Sequence, residues 1–230
     1  MQPISTRKDI RHEGDAVRGK SLARALSAGL LSLLLLLGSS SVLGAQQQEL
    51  TPRQQLERAF AELRTQPSDS LKQRAFFQAY PEYFIGLQTC FVLDRFSATE
   101  ALDYTVYFDA FKGLTFVSEA EKMKRLFNIM VGGYWEADAP SAHFGLMEEL
   151  MRKDPRRAFA LISKETESRQ ILFWQCYWQG HVKNEQQARD LQLYSGVKGY
   201  EQAKRIMSTA YRQFRGELPV FFPGDYLFGV

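Results

Sequence analysis

The sequence predicts an all-α protein: an irregular, helical-repeat-like (α-solenoid) array of about nine or ten short antiparallel helices, with a compact helical bundle as the alternative. Three observations predict it. Apolar residues recur at i, i+3, i+4 and i+7 in segment after segment. Helix-start signals precede several of these segments, among them Thr51-Pro52, Ser118 with Glu121, and Asp154-Pro155. No run alternates apolar with polar residues for long enough to suggest a sheet.

The elements follow in chain order. Leu56, Ala59, Phe60 and Leu63 form one stripe behind a Thr51 cap, with Pro52 at the first helical position and Gln54 closing the capping box. Leu71, Ala75 and Phe76 mark a second helix that ends near Tyr80, because Pro81 disfavours helical geometry in the residue before it. Pro81 is expected to open a third helix through Phe84, Leu87, Gln88 and Phe91. Ser97 and Glu100 read as a capping box before Ala101 to Phe111, and Ser118 and Glu121 as a second one before Met123, Phe127 and Met130.

Gly132-Gly133 breaks the chain, after which Asp138 is expected to cap a helix whose apolar face is His143, Met147, Leu150 and Met151. Asp154-Pro155 ends that helix and starts another through Phe159 and Ile162. Ser168 is expected to cap Arg169 to Trp178. Asn184 opens a helix expected to turn Ala188, Leu191 and Tyr194 inward, and the last helix runs from about Gly199 to Phe214. Pro219 and Pro223 forbid helix in the tail, whose Phe221, Phe222, Tyr226 and Phe228 are expected to lie extended across the helices. The starts near Ser118, Asp154 and Asn184 are unequally spaced, so no strict repeat period is expected.

The chain has 230 residues, 45% of them apolar and 24% charged, a balance that supports one folded domain without help from disulfides or metals. Its first residues follow the pattern of a secretory signal peptide over 1–45. A basic head holds Arg7, Lys8, Arg11, Arg18, Lys20 and Arg24. An uncharged run from Ala25 to Leu37 follows, and small residues lead to Ala45, the expected cleavage position. The alternative is an uncleaved anchor, since counting on to Ala45 nearly reaches the length of a membrane span. The domain is then residues 46–230, exported to the periplasm or secreted. It carries 23 basic and 23 acidic residues, so its formal net charge is zero. A nucleic-acid partner is not expected on that balance. Contact with a membrane is expected only through an uncleaved leader. The cluster Arg152, Lys153, Arg156 and Arg157 reads as a solvated helix junction.

Three segments resemble a family of exported, all-helical bacterial proteins that carries no assigned activity. They are Ala75-Phe76-Phe77-Gln78-Ala79-Tyr80-Pro81, Gly133-Tyr134-Trp135-Glu136-Ala137-Asp138-Ala139, and Leu172-Phe173-Trp174 followed by Gln179-Gly180-His181. Gln179 stands where that family would place an acidic residue. The resemblance covers roughly Arg74 to Val182. It implies the helical fold and export, and implies no reaction.

The residues with chemical potential are few. Trp135, Glu136, Asp138 and His143 form the most unusual stretch, readable as a small polar pocket walled by an indole or as helix-start architecture with a packed Trp and a core His. Phe173, Trp174, Tyr177 and Trp178 cover more of a helix than one core stripe needs, so some ring is expected to reach a groove or partner surface. His181 sits at an expected helix end, where the dipole favours a cation. Cys90 and Cys176 are the only cysteines and form either one disulfide or two buried thiols. No phosphate loop, nucleophile elbow, metal-ligand spacing or cofactor fingerprint occurs, so no cofactor or metal is expected. The sequence therefore favours a non-enzymatic protein- or peptide-binding module, with a hydrolase using Glu136, Asp138 and His143 beside Trp135 as the alternative.

Overall fold

The computed structural model describes residues 49–92, 101–135, 137–180 and 184–219. The leader, the Ser97/Glu100 capping pair, Glu136, His181 and the aromatic tail from 220 onward lie outside the described residues.

Among the described residues there are ten helices and no strand: α1 (Pro52–Thr65), α2 (Ser70–Ala79), α3 (Phe84–Phe91), α4 (Tyr104–Gly113), α5 (Glu119–Met130), α6 (Asp138–Lys153), α7 (Pro155–Ile162), α8 (Glu167–Trp178), α9 (Asn184–Ser195) and α10 (Glu201–Phe214). None is long and apolar enough to cross a membrane. They form the expected irregular array. The helices α1 and α2 pack on each other, α6 contacts α3, α4, α5 and α7, and α8 makes its most extensive contact with α10.

Caps set most boundaries. Thr51 and Ser118 make complete capping boxes with Gln54 and Glu121, satisfying N–H groups that the first turn leaves open. Asp154 receives the Arg157 N–H ahead of Pro155. Several expected starts move. The third helix begins at Phe84 rather than at Pro81, with Tyr83 as its cap residue. Asp103 caps α4, and Thr166 rather than Ser168 caps α8. The last helix starts at Glu201 because Gly199 and Tyr200 both adopt left-handed backbone (φ 81° and 59°).

Two helix faces are rotated from expectation. On α2, Leu71 and Ala75 face out, and Gln73, Phe76 and Phe77 are buried. Gln73 is inside because its amide joins two strangers in sequence. Its Nε2 donates to the Pro67 carbonyl, and its Oε1 accepts from the Thr115 and Phe116 N–H groups. On α9, Ala188 is exposed, while Gln187, Asp190 and Tyr194 are buried.

The core is continuous and aromatic. Phe60, Phe76, Tyr80, Phe91, Tyr107 and Phe111 pack at one end, and Phe159, Phe173, Trp174, Tyr177, Trp178 and Tyr194 at the other. Truncating Ser118 to Ala removes one side of the α5 capping box. The expected loss is about 1 kcal/mol of stability, measured as a lower urea midpoint with an unchanged m-value.

Candidate functional site

The Trp135 segment leaves α5 through Gly132 and Gly133. Gly132 has φ +74°, and a Cβ on Gly133 would lie 2.8 Å from the Phe144 ring and 3.2 Å from the Ile129 carbonyl oxygen. The tight break sends Trp135 across to the far end of α8. There its Nε1–H donates to the Cys176 carbonyl oxygen at 2.8 Å. That carbonyl belongs to the last turn of α8, where intrahelical donors run out. The indole also meets Phe144 edge-on at 5.0 Å. It presses on Gly180 so closely that a Cβ there would sit 2.7 Å from Trp135 Cζ2. Trp135 thus ties one helix break to another helix terminus, 41 residues apart.

Asp138 and His143 do not converge. Asp138 occupies the first helical position and is exposed. Ala137 is the cap residue, and no side chain caps this end, so the expected Asp138 cap is not formed. The carboxylate still suits the positive end of the helix dipole. His143 is completely buried between the rings of Tyr80, Phe91 and Phe108. Its Nδ1 lies 2.6 Å from the Ala139 carbonyl oxygen, which only accepts, so the Nδ1–H tautomer is present. Nε2 then accepts from the Tyr80 hydroxyl at 2.6 Å. Both ring nitrogens are spent, and burial lowers the His143 pKa to about 4 against a smaller opposing effect of its hydrogen bond to the Ala139 carbonyl oxygen.

The aromatic helix is also turned inward. Trp174 and Trp178 are fully buried, and Phe173 and Tyr177 are buried with them, so none of the four rings reaches a surface groove. The expectation of an exposed anchor on α8 is corrected for a geometric reason. The helices α5, α7, α9 and α10 surround α8, through Phe127 on Phe173, Phe159 on Trp174, Tyr194 on Tyr177, and Tyr211 on Trp178. Trp178 Nε1 donates to the Met207 carbonyl oxygen at 3.3 Å. The cysteines are two free buried thiols, and the candidate Cys90–Cys176 disulfide is not formed in this structure. Burial raises both thiol pKa values, so neither is an activated nucleophile.

A buried polar cluster went unseen in the sequence. Asp190 on α9 is 1% exposed and accepts from Arg152 Nε and Nη2 on α6 at 3.0 Å, in a fork. Arg152 Nη2 also donates to Glu148 at 3.0 Å. The Tyr177 hydroxyl donates to Asp190 at 2.9 Å, which leaves it to accept from the Tyr194 hydroxyl at 2.7 Å. Gln186 adds a donor to Asp190, and Gln187 donates to the Trp178 carbonyl oxygen. Burial raises the Glu148 carboxyl despite the neighbouring guanidinium. Burial alone would lower Arg152, yet Asp190, Tyr177 and Glu148 together hold it above its ordinary value. The sequence signal was weak: Arg152 lay in a basic cluster, and Asp190 was not among the residues of its helix expected to turn inward. Two more members of that cluster are paired, since Lys153 and Arg157 both meet Glu119.

No group of three metal-ligating side chains occurs among the described residues. Against known proteins, the chain matches no family model, no curated protein and no solved structure. The arrangement defines a helical array whose distinctive polar groups are committed to holding it together.

Two outcomes follow. His143 binds its proton more weakly folded than unfolded, so its contribution is complete above pH 6.5. That contribution disappears as pH falls from 6.5 to about 4. The expected span is about 3 kcal/mol, read from urea midpoints across that window, and the slope should flatten in His143→Gln whatever its absolute stability. Arg152→Met leaves Asp190 buried without its cation and should cost about 3 kcal/mol. Adding Asp190→Leu should recover much of that loss in a double-mutant cycle.

Proposed function

We propose that the protein is an exported, non-enzymatic binding module that docks a protein or peptide on the apolar rim around Phe84. The observation that carries this reading is the exposure of three large side chains at one place. Tyr83 and Ile85 flank Phe84 and are 51% and 71% exposed. Tyr134 is 39% exposed and lies edge-on to the Phe84 ring at 4.7 Å, with Gln88 bonded to its hydroxyl. A core that encloses so many other rings makes this cluster stand out. Tyr and neighbouring aliphatics on a rigid support are what partner surfaces use as anchors. The support is rigid because Phe84 also stacks on Phe144, which carries Trp135.

Export is the reading of the leader pattern over residues 1–45, and the three segments that resemble exported helical proteins support it. His143, whose two nitrogens are engaged inside the core, counts against the hydrolase alternative. A photo-crosslinking residue at position 85, in the full chain expressed with its leader, should yield one discrete adduct in the envelope fraction. The same residue at exposed Leu193 should not, and Tyr83→Asp should abolish the adduct without moving the thermal midpoint. Equal labelling from both positions, or none from position 85, would reject the reading.

A further inference from the structure

We propose that the groove formed by the end of α9 and the outer face of α10 is a binding site for a phosphate-bearing anion. The groove has a volume of about 380 Å³ and is lined by polar and charged residues only. Lys204, Arg205 and Arg212 supply three cations on α10, and Glu201 supplies the single carboxylate. Hydroxyls come from Ser208 and Thr209 on the same helix and from Ser195 on α9. The spacing 205, 209, 212 puts two guanidiniums and a hydroxyl on one helix stripe.

What these groups are not doing is as informative as where they are. Arg205 makes no ion pair or hydrogen bond among the described residues, although most basic side chains of the molecule are paired. The hydroxyls of Ser208 and Thr209 are also without partners there. Helical hydroxyls commonly return to a carbonyl one turn back, as Thr89 does to Ile85 and Thr65 does to Glu62. Glu201 is held by Lys204 at 3.0 Å and Glu217 by Arg212 at 3.4 Å, so among the described residues Arg205 is the one cation of the groove that meets no carboxylate. Lys204 also donates to the Val197 carbonyl oxygen at 3.0 Å, so its ammonium is fixed at the groove.

The chemistry selects the ligand class. A carboxylate offers two oxygens, fewer than the donors assembled here. A phosphate monoester or diester offers more acceptor oxygens and at least one full negative charge, and arginine forks match it. Every lining side chain ends in a charged group or a hydroxyl, and the apolar area between these ends comes from their own stems, so the groove recognises the charged part of its ligand. The domain from Gln46 onward has no net charge, and at this groove three cations outnumber the two carboxylates that meet them, so the surplus is local and not the reflection of a basic protein.

Free phosphate compounds and lipid headgroups share this chemistry, and two probes separate them. The full chain is titrated with inorganic phosphate, and its amide chemical shifts are followed against chloride at matched ionic strength. In parallel it is mixed with phosphatidylcholine vesicles with and without phosphatidylglycerol and sedimented. Saturable shifts at Ser208 and Thr209 with phosphate and not chloride support a soluble phosphorylated ligand. Sedimentation only with phosphatidylglycerol supports a headgroup. Arg205→Glu should weaken whichever binding is found by about tenfold, with the thermal midpoint unchanged because the side chain is exposed. Thr209→Ala removes only a hydroxyl and should weaken binding by about threefold. Absence of binding to both probes, equal shifts with chloride, or wild-type binding by both variants would overturn the proposal.

Discussion

A helix that carries large rings around most of its circumference has to be enclosed, and α8 imposes that condition on this fold. Phe173, Trp174, Tyr177 and Trp178 are all buried, and no single neighbour can cover them. The helix α10 covers Trp178, α9 covers Tyr177, α7 covers Trp174 and α5 covers Phe173. Each large ring removes substantial apolar surface from water, so the placement of four other helices is tied to one element. Trp135 adds a polar tie to the same helix by donating to its last turn. The array is irregular because its helices are arranged around this ring-bearing helix and not by stacking equal repeats.

The rest of the molecule follows a different rule. At the other end, single polar side chains join segments that apolar packing alone would not place. Gln73 holds the Thr115-Phe116 turn, and His143 bridges Tyr80 and Ala139 in the middle of an aromatic cage. These groups make a core of many similar rings specific, because an amide or imidazole in the wrong register leaves buried polar atoms unpaired.

How much of this was legible follows from which interactions are local. The helical class and the starts at Thr51, Ser118 and Asp154 were readable because capping links residues three apart. The α4 start at Asp103 and the α8 start at Thr166 were missed because several nearby residues of similar chemistry compete for the cap. The faces of α2 and α9 were misread for one shared reason. Periodicity arguments count apolar residues, and Gln73, Gln187 and Asp190 are polar residues buried by partners on other elements. His143 was correctly placed on the inner face of its helix, but its partner Tyr80 lies 63 residues away. Trp135 was singled out for its unusual surroundings, while its bond to Cys176 had no sequence signal.

The polar underside of α9 bears on how the protein opens. A helix seated on a guanidinium fork, two phenols and amides loses these polar partners as well as the ring contacts of Tyr194 when it lifts. Denaturant acts in proportion to the surface that an opening exposes. The amide protons of α9 should therefore exchange with solvent through a local excursion with a smaller urea dependence than that of α8, whose amides should exchange only as the whole array comes apart. Two helices in direct contact would then report two different free energies, one governed by buried polar bonds and the other by hydrocarbon.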